Sequence, residues 1–255
     1  MVRRRSLRPA DLTCHFEIHP RGHDNGLVRR LMCRPNRWPV AVCVPGSGGS
    51  QFRMVIAGRC GTILEVTGDP RFNETPLAYT ALAGQNLDLL TSQEREVISA
   101  YSGDAYRDVN RAMRGEITMT PPLARRIALI RSGLRRYPID HAVRVSRIVD
   151  AAFFDITDDA SVHAILGEEF VEPAFLSTSG LATPPPTGIR AANPVIVDMI
   201  VPRGTPALRL GEIAEVPYER EVLIIDARTT LPVGVVRDEA RNMWRIQAIV
   251  LEGES

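Results

Sequence analysis

The chain has 255 residues, 44% of them hydrophobic, enough for a sizeable buried core. Its longest apolar runs, such as Val222-Leu223-Ile224-Ile225, are strand-sized and far below the roughly 18 residues of a membrane helix, so no transmembrane span is expected. All 31 basic residues are arginine, which excludes a Walker lysine, a Schiff-base lysine and a lysine general base.

The formal net charge of +1 conceals an asymmetry: residues 1–60 hold 11 arginines against 3 acids, the remainder 20 against 27. A basic leader on an acidic body can meet nucleic acid, an anionic membrane surface or an acidic partner, and it can equally be a solvated face. Met1-Val2-Arg3-Arg4-Arg5 has the charge of a signal peptide but no apolar stretch behind it. Synthesis in the cytoplasm without a signal peptide is the expectation, with delivery to another cell by a dedicated route left open. Cys14, Cys33, Cys43 and Cys60 lie in this first quarter with His15, His19 and His23. No pair has Cys-x2-Cys spacing and Pro20 interrupts the histidine series, so no metal is expected.

Along the chain, residues 1–65 read as a small basic extension of unknown role and residues 66–255 as the main domain. Within the extension, Pro39 to Val44 suits a strand, and Pro45-Gly46-Ser47-Gly48-Gly49-Ser50 lacks both phosphate-loop spacings, so it reads as a turn or linker. Met54-Val55-Ile56-Ala57 and Thr62 to Val66 read as a second hairpin. A helical pattern then extends to about residue 137. Thr91 and Glu94 form a capping box for a helix that Gly103 should end. A second helix runs from Ala105 to Met113. A third opens at Pro121-Pro122 with Leu123, Ile127, Ile130 and Leu134 on one face.

From residue 142 the period becomes two, with strands expected at 142–149, 174–178, 194–201, 207–212, 221–226, 231–236 and 244–251 and one helix from Asp158 to Leu166. Helices first and strands afterwards indicate an α+β fold. On a strand, Glu219 and Glu221 would point to one face and Arg220 to the other.

Taken in order, Arg147 in an apolar strand, Ser177-Thr178-Ser179 and Glu219-Arg220-Glu221 resemble the arginine, Ser-Thr-Ser, Glu-x-Glu pattern of mono-ADP-ribosyltransferases. Tyr101, Tyr106 and Asn110 are similar to the residues on the NAD-contacting helices of that family. The resemblance covers roughly residues 76–250 and does not reach residues 1–65. It implies the family's fold, a helical lobe followed by a split two-sheet β core.

It also implies NAD as co-substrate and a target protein presenting arginine as partner. Position by position, Glu221 would be the catalytic carboxylate, Ser177 would orient it, and Arg147 would bind the NAD phosphates. Tyr101, Tyr106, Asn110, Thr178, Ser179 and Arg190 would contribute to the NAD site. Tyr218 and Glu219 would recognise the acceptor, glutamate at 219 favouring arginine. The chain departs from the pattern in having no aromatic residue between Leu181 and Gly188, and alanine at Ala174. Lysine poverty is likewise similar to that of some toxins of the family. An NAD glycohydrolase or a degenerate binding module with the same fold are the alternatives.

Overall fold

The computed structural model describes residues 68–185 and 191–251 in full, with the backbone strands β1 (Arg3–Arg4), β2 (Val42–Pro45) and β3 (Phe52–Val55) from the preceding part. The chain divides into two compact units, one of Ser6–Glu65 and one of Met1–Arg5 with Val66–Ser255.

In the smaller unit β2 and β3 form an antiparallel hairpin, from Val42↔Val55 to Pro45↔Phe52. Met54 and Val55 therefore pair back onto Cys43 and Val42, not forward onto Thr62 to Val66 as the apolar pattern suggested. Alternation marks strands but does not choose among neighbouring partners. Residues 62–66 lie outside the described residues, as do Cys14, Cys33 and Cys60. Only the backbone of Cys43 is described.

The larger unit opens with a helical lobe of α1 (Arg71–Glu74), α2 (Ala78–Ala81), α3 (Ser92–Ala100), α4 (Tyr106–Met113) and α5 (Pro121–Leu134). The capping box at α3 is present: Glu94 N donates to Thr91 Oγ1 at 3.2 Å and Thr91 N to Glu94 Oε2 at 2.8 Å. The same carboxylate accepts from Ser132 Oγ at 2.6 Å and Arg136 Nη2 at 3.2 Å, which ties α3 to the end of α5. Gly103 interrupts the helix as expected, and α4 starts just beyond it. At φ −95° and ψ −112° its backbone is non-helical, so Tyr101–Ala105 form a kink between α3 and α4. A Cβ there would meet the carboxylate end of the exposed Glu215 side chain.

The remaining elements are β4 (Val143–Asp150), α6 (Asp159–Ala164), β5 (Phe170–Glu172), β6 (Leu176–Ser179), β7 (Pro194–Val201), β8 (Ala207–Arg209), β9 (Glu221–Ile224), β10 (Arg228–Asp238) and β11 (Met243–Val250). Strand order is β1-β5-β10-β11-β7-β4-β6-β9-β8, with only β11 and β7 parallel among the named pairs. The middle of this sheet is thin, because β4 meets β6 through the single pair Ser146↔Ser179. One half, up to β4, and the other, β6-β9-β8, therefore form the split β core expected of the fold. The short strand β5 escaped the sequence reading; its Glu172 is masked as a strand residue by the acids before it, and its pairing with β10 is a tertiary contact.

Two apolar clusters sit against the β6-β9-β8 half. Val222 and Ile224 join Val143, Val145, Val149 and Leu176 in one. Leu223 joins Ile98, Val109, Ile130, Leu134 and Phe175 of the helical side in the other. Alternation along β9 places Glu221 on the face of Leu223, toward the helical lobe. No described helix is long and apolar enough to cross a membrane.

Candidate active site

Glu221 is the first residue of β9 and is only 5% exposed. Ser177, across on β6, donates from Oγ to Glu221 Oε1 at 2.6 Å. Burial pushes the Glu221 carboxyl up to about 7; the Ser177 bond opposes this and the charge of Glu219 adds to it. A carboxyl poised near neutrality in a buried seat is a common mark of a catalytic group.

The other two hydroxyls of the Ser-Thr-Ser segment are spent on backbone. Thr178 Oγ1 donates to Val222 O at 2.7 Å, and Ser179 Oγ to Glu219 O at 2.9 Å. Both therefore fix the start of β9, where Glu221 pairs with Ser179 and stays within reach of the Ser177 hydroxyl.

The expected strand geometry of the two glutamates does not hold. Glu219 ends a single 3-10 turn, Pro217–Glu219, and Arg220 is left-handed at φ 52°, so the alternation rule has no strand to act on before Glu221. The carboxylates remain close enough for Glu219 to perturb Glu221. Glu219 is half-buried and its own pKa is raised by that burial. Tyr218 stands 63% exposed beside it.

On the helical side, Tyr101 is 1% exposed and donates to Asn110 Oδ1 at 3.0 Å, bridging the two sides of the kink. Its ring meets Phe175 edge-on at 5.6 Å and Tyr106 at 6.4 Å. Tyr101 is thus an internal anchor, whereas Tyr106 is half-buried and keeps part of its ring accessible. Burial drives the Tyr101 phenol well above its usual range, and the charges of Glu221, Arg147 and Arg114 all act on it.

Arg147 lies on β4, and its side chain forms no hydrogen bond or ion pair with a described residue. Burial lowers its pKa, and the nearby Glu172 charge works in the opposite direction. Glu172 is already engaged: Arg114 grips it with Nε at 3.0 Å and Nη2 at 2.9 Å, and Ala174 N donates to it at 3.0 Å. The pairing of Arg114 with Glu172 leaves Arg147 as a cation without a dedicated anion. Arg190 lies outside the described residues. The loop after β6 is tied where it is described, with Leu181 O accepting from Ser146 Oγ at 2.7 Å and Ala182 O from Arg245 Nη1 at 3.0 Å.

Sequence reasoning missed Arg114, Glu172 and Phe175. Arg114 was reachable, since Tyr106, Asn110 and Arg114 recur every four residues on one helical face. Glu172 and Phe175 carry no such signal.

Residues 78–251 match the family model described as ADP-ribosyltransferase exoenzyme. The chain belongs to this family. Among solved structures it is similar to Plx2a, an ADP-ribosyltransferase toxin from Paenibacillus larvae, at 22% identity over 65% of this chain and 89% of that one, with a TM-score of 0.56. It is also similar to the Clostridium limosum C3 exoenzyme, at 16% identity over 75% and 98% with a TM-score of 0.56. C3stau2 from S. aureus, solved with NAD, shares 15% identity over 76% and 100% with a TM-score of 0.54. At these identities the likeness is one of fold. No curated protein sequence matches the chain. NAD is the co-substrate of ADP-ribosyltransferase toxins, and family membership supports transferase activity in this exoenzyme-family domain. Among the described residues no group of three or more His, Cys, Asp or Glu is placed to hold a metal ion.

Proposed function

We propose that the chain transfers ADP-ribose from NAD to an arginine side chain of a target protein, with Glu221 as the catalytic carboxylate. The observation that carries this reading is the buried Glu221 carboxylate held by Ser177 at 2.6 Å. The uncommitted cation of Arg147 fits the pyrophosphate of NAD, and Tyr106 offers an aromatic surface to the nucleotide.

In this reaction the bond between ribose C1′ and nicotinamide breaks, its electron pair leaving with nicotinamide, and the sugar acquires oxocarbenium character. Glu221 in its charged form stabilises that state, an electrostatic contribution of roughly 3 kcal/mol for a preorganised group. A guanidinium nitrogen of the acceptor then bonds to C1′, and Glu219 accepts the proton it sheds. Glu219 suits this task because it is half-buried and next to the exposed Tyr218. Catalysis belongs to residues 66–255.

The test uses labelled NAD with and without an arginine acceptor. Glu221→Gln should reduce both NAD hydrolysis and transfer by on the order of a hundredfold. Glu219→Gln should reduce arginine transfer by about a hundredfold while hydrolysis persists. Equal loss of both activities in Glu219→Gln would remove the acceptor role of Glu219. Undiminished hydrolysis in Glu221→Gln would remove the catalytic role of Glu221.

A further inference from the structure

Arg220 stands between the two glutamates in a left-handed conformation, φ 52° and ψ 44°, which costs a non-glycine residue free energy and needs outside support. Its position sets the directions in which Glu219 and Glu221 leave the backbone. The support comes from Tyr79 on α2. The Arg220 guanidinium lies 4.8 Å from the Tyr79 ring centroid and donates from Nη1 to the Tyr79 hydroxyl. The Arg209 guanidinium, from β8, lies 4.0 Å from the same centroid. Neither arginine has a carboxylate partner among the described residues, and Arg209 Nε is buried without a hydrogen-bond acceptor. One aromatic ring is therefore the shared counterpart of two cations.

The same tyrosine also reaches the end of β6. Tyr79 N donates to Gly180 O at 3.1 Å, and Gly180 N donates to Arg220 O at 2.9 Å. A Cβ on Gly180 would stand 2.5 Å from Tyr79 N, so glycine is required for this contact. At its other end, the segment is tied to the helix kink by Glu215 N donating to Ser102 Oγ at 2.8 Å. The stretch from Glu215 to Glu221 is thus fastened at both ends, and Tyr79 is the side chain that fastens the end nearer the glutamates.

We propose that Tyr79, in contact with Arg209 and Arg220, is a positioning residue that fixes the Pro217–Glu219 turn and so governs delivery of ADP-ribose to the acceptor, not cleavage of NAD. This inference rests on the acceptor role assigned above to Glu219. Glu221 has its own anchors in Ser177 and in the β6 pairing, so NAD cleavage does not depend on Tyr79.

The full chain is compared with Tyr79→Leu, Tyr79→Phe and Arg209→Gln in three measurements. These are NAD hydrolysis without acceptor, ADP-ribose transfer to agmatine, and the rate of trypsin cleavage after Arg220 without NAD. Tyr79→Leu should lower agmatine transfer and speed cleavage after Arg220 by about tenfold each, while hydrolysis stays within about twofold of the parent. Tyr79→Phe keeps the ring and should restore most of the protection. Arg209→Gln leaves Tyr79 in place, should give an intermediate cleavage rate, and serves as the test if Tyr79→Leu does not fold. The inference is overturned if cleavage after Arg220 proceeds at the parental rate in both Tyr79→Leu and Arg209→Gln, or if hydrolysis and transfer fall together. A parent that hydrolyses NAD but leaves agmatine unmodified overturns the arginine reading, and the trypsin rates then decide the role of Tyr79. A parent that leaves NAD intact overturns the reading of the site and this inference with it.

Discussion

Glu221 is the residue at which burial and chemistry meet. Solvent exclusion holds its carboxyl near 7, and the Ser177 hydroxyl partly offsets that by favouring the charged form. Since the charged form stabilises the developing positive sugar, the rate of NAD cleavage should rise with pH and level off above about 7. Ser177→Ala removes the bond that favours the carboxylate, so the midpoint should move up by about one pH unit. A pH profile of NAD hydrolysis for both proteins checks this; an unmoved midpoint would detach Ser177 from the titration of Glu221. Arg147 is the complementary case, a cation whose neighbouring acid, Glu172, has been claimed by Arg114.

Among the elements, α3 is held by its first turn. Glu94 closes the capping box with Thr91 and also accepts from Ser132 and Arg136, so one carboxylate joins α3 to α5. Burial would raise its pKa, but the Ser132 hydroxyl, the Thr91 amide and Arg136 together bring it down to about 2. A folded-state pKa below the unfolded value stabilises the fold above about 4.5, and this contribution is lost as pH falls toward 2. Glu94→Gln should therefore unfold more easily at neutral pH, by about 1 to 2 kcal/mol, with the deficit shrinking through that acid range. Denaturant titrations across pH measure it. The kink at Gly103 follows α3 directly, and it is what brings Tyr101 and Asn110 into one hydrogen bond.

At the scale of the whole molecule, the active site costs stability. Glu221 titrates near 7 in the fold against an ordinary 4.5, so between those values the folded state holds a proton that the unfolded chain has released. Stability must then decline as pH rises through this window, with the full cost present above about 7. Glu221→Gln removes the charge, so it should be more stable than the parent by on the order of 2 kcal/mol at about pH 8 and equal to it at about pH 4. Calorimetry at the two pH values tests this, and an inactive variant with no gain at the higher pH would contradict the buried charge. The cost is tolerated because the two apolar clusters on either side of β9 hold the strand independently of Glu221.

The α+β class, the capped α3, the apolar face of α5, the strands from 143 onward other than β5 and the order of Arg147, Ser177 and Glu221 were all legible in the sequence. They depend on local periodicity, capping and the spacing of residue types, which a linear chain displays. Tertiary structure alone decided that β4 and β6 meet at one residue pair, that β5 joins β10, and that Glu219 leaves from a turn and not a strand. Each of these is set by a contact between distant segments: Ser146 with Ser179, Phe170 with Thr230, Arg220 with Tyr79. Such contacts form only when the chain has closed long loops around a buried core, and no local pattern records which segments will then touch.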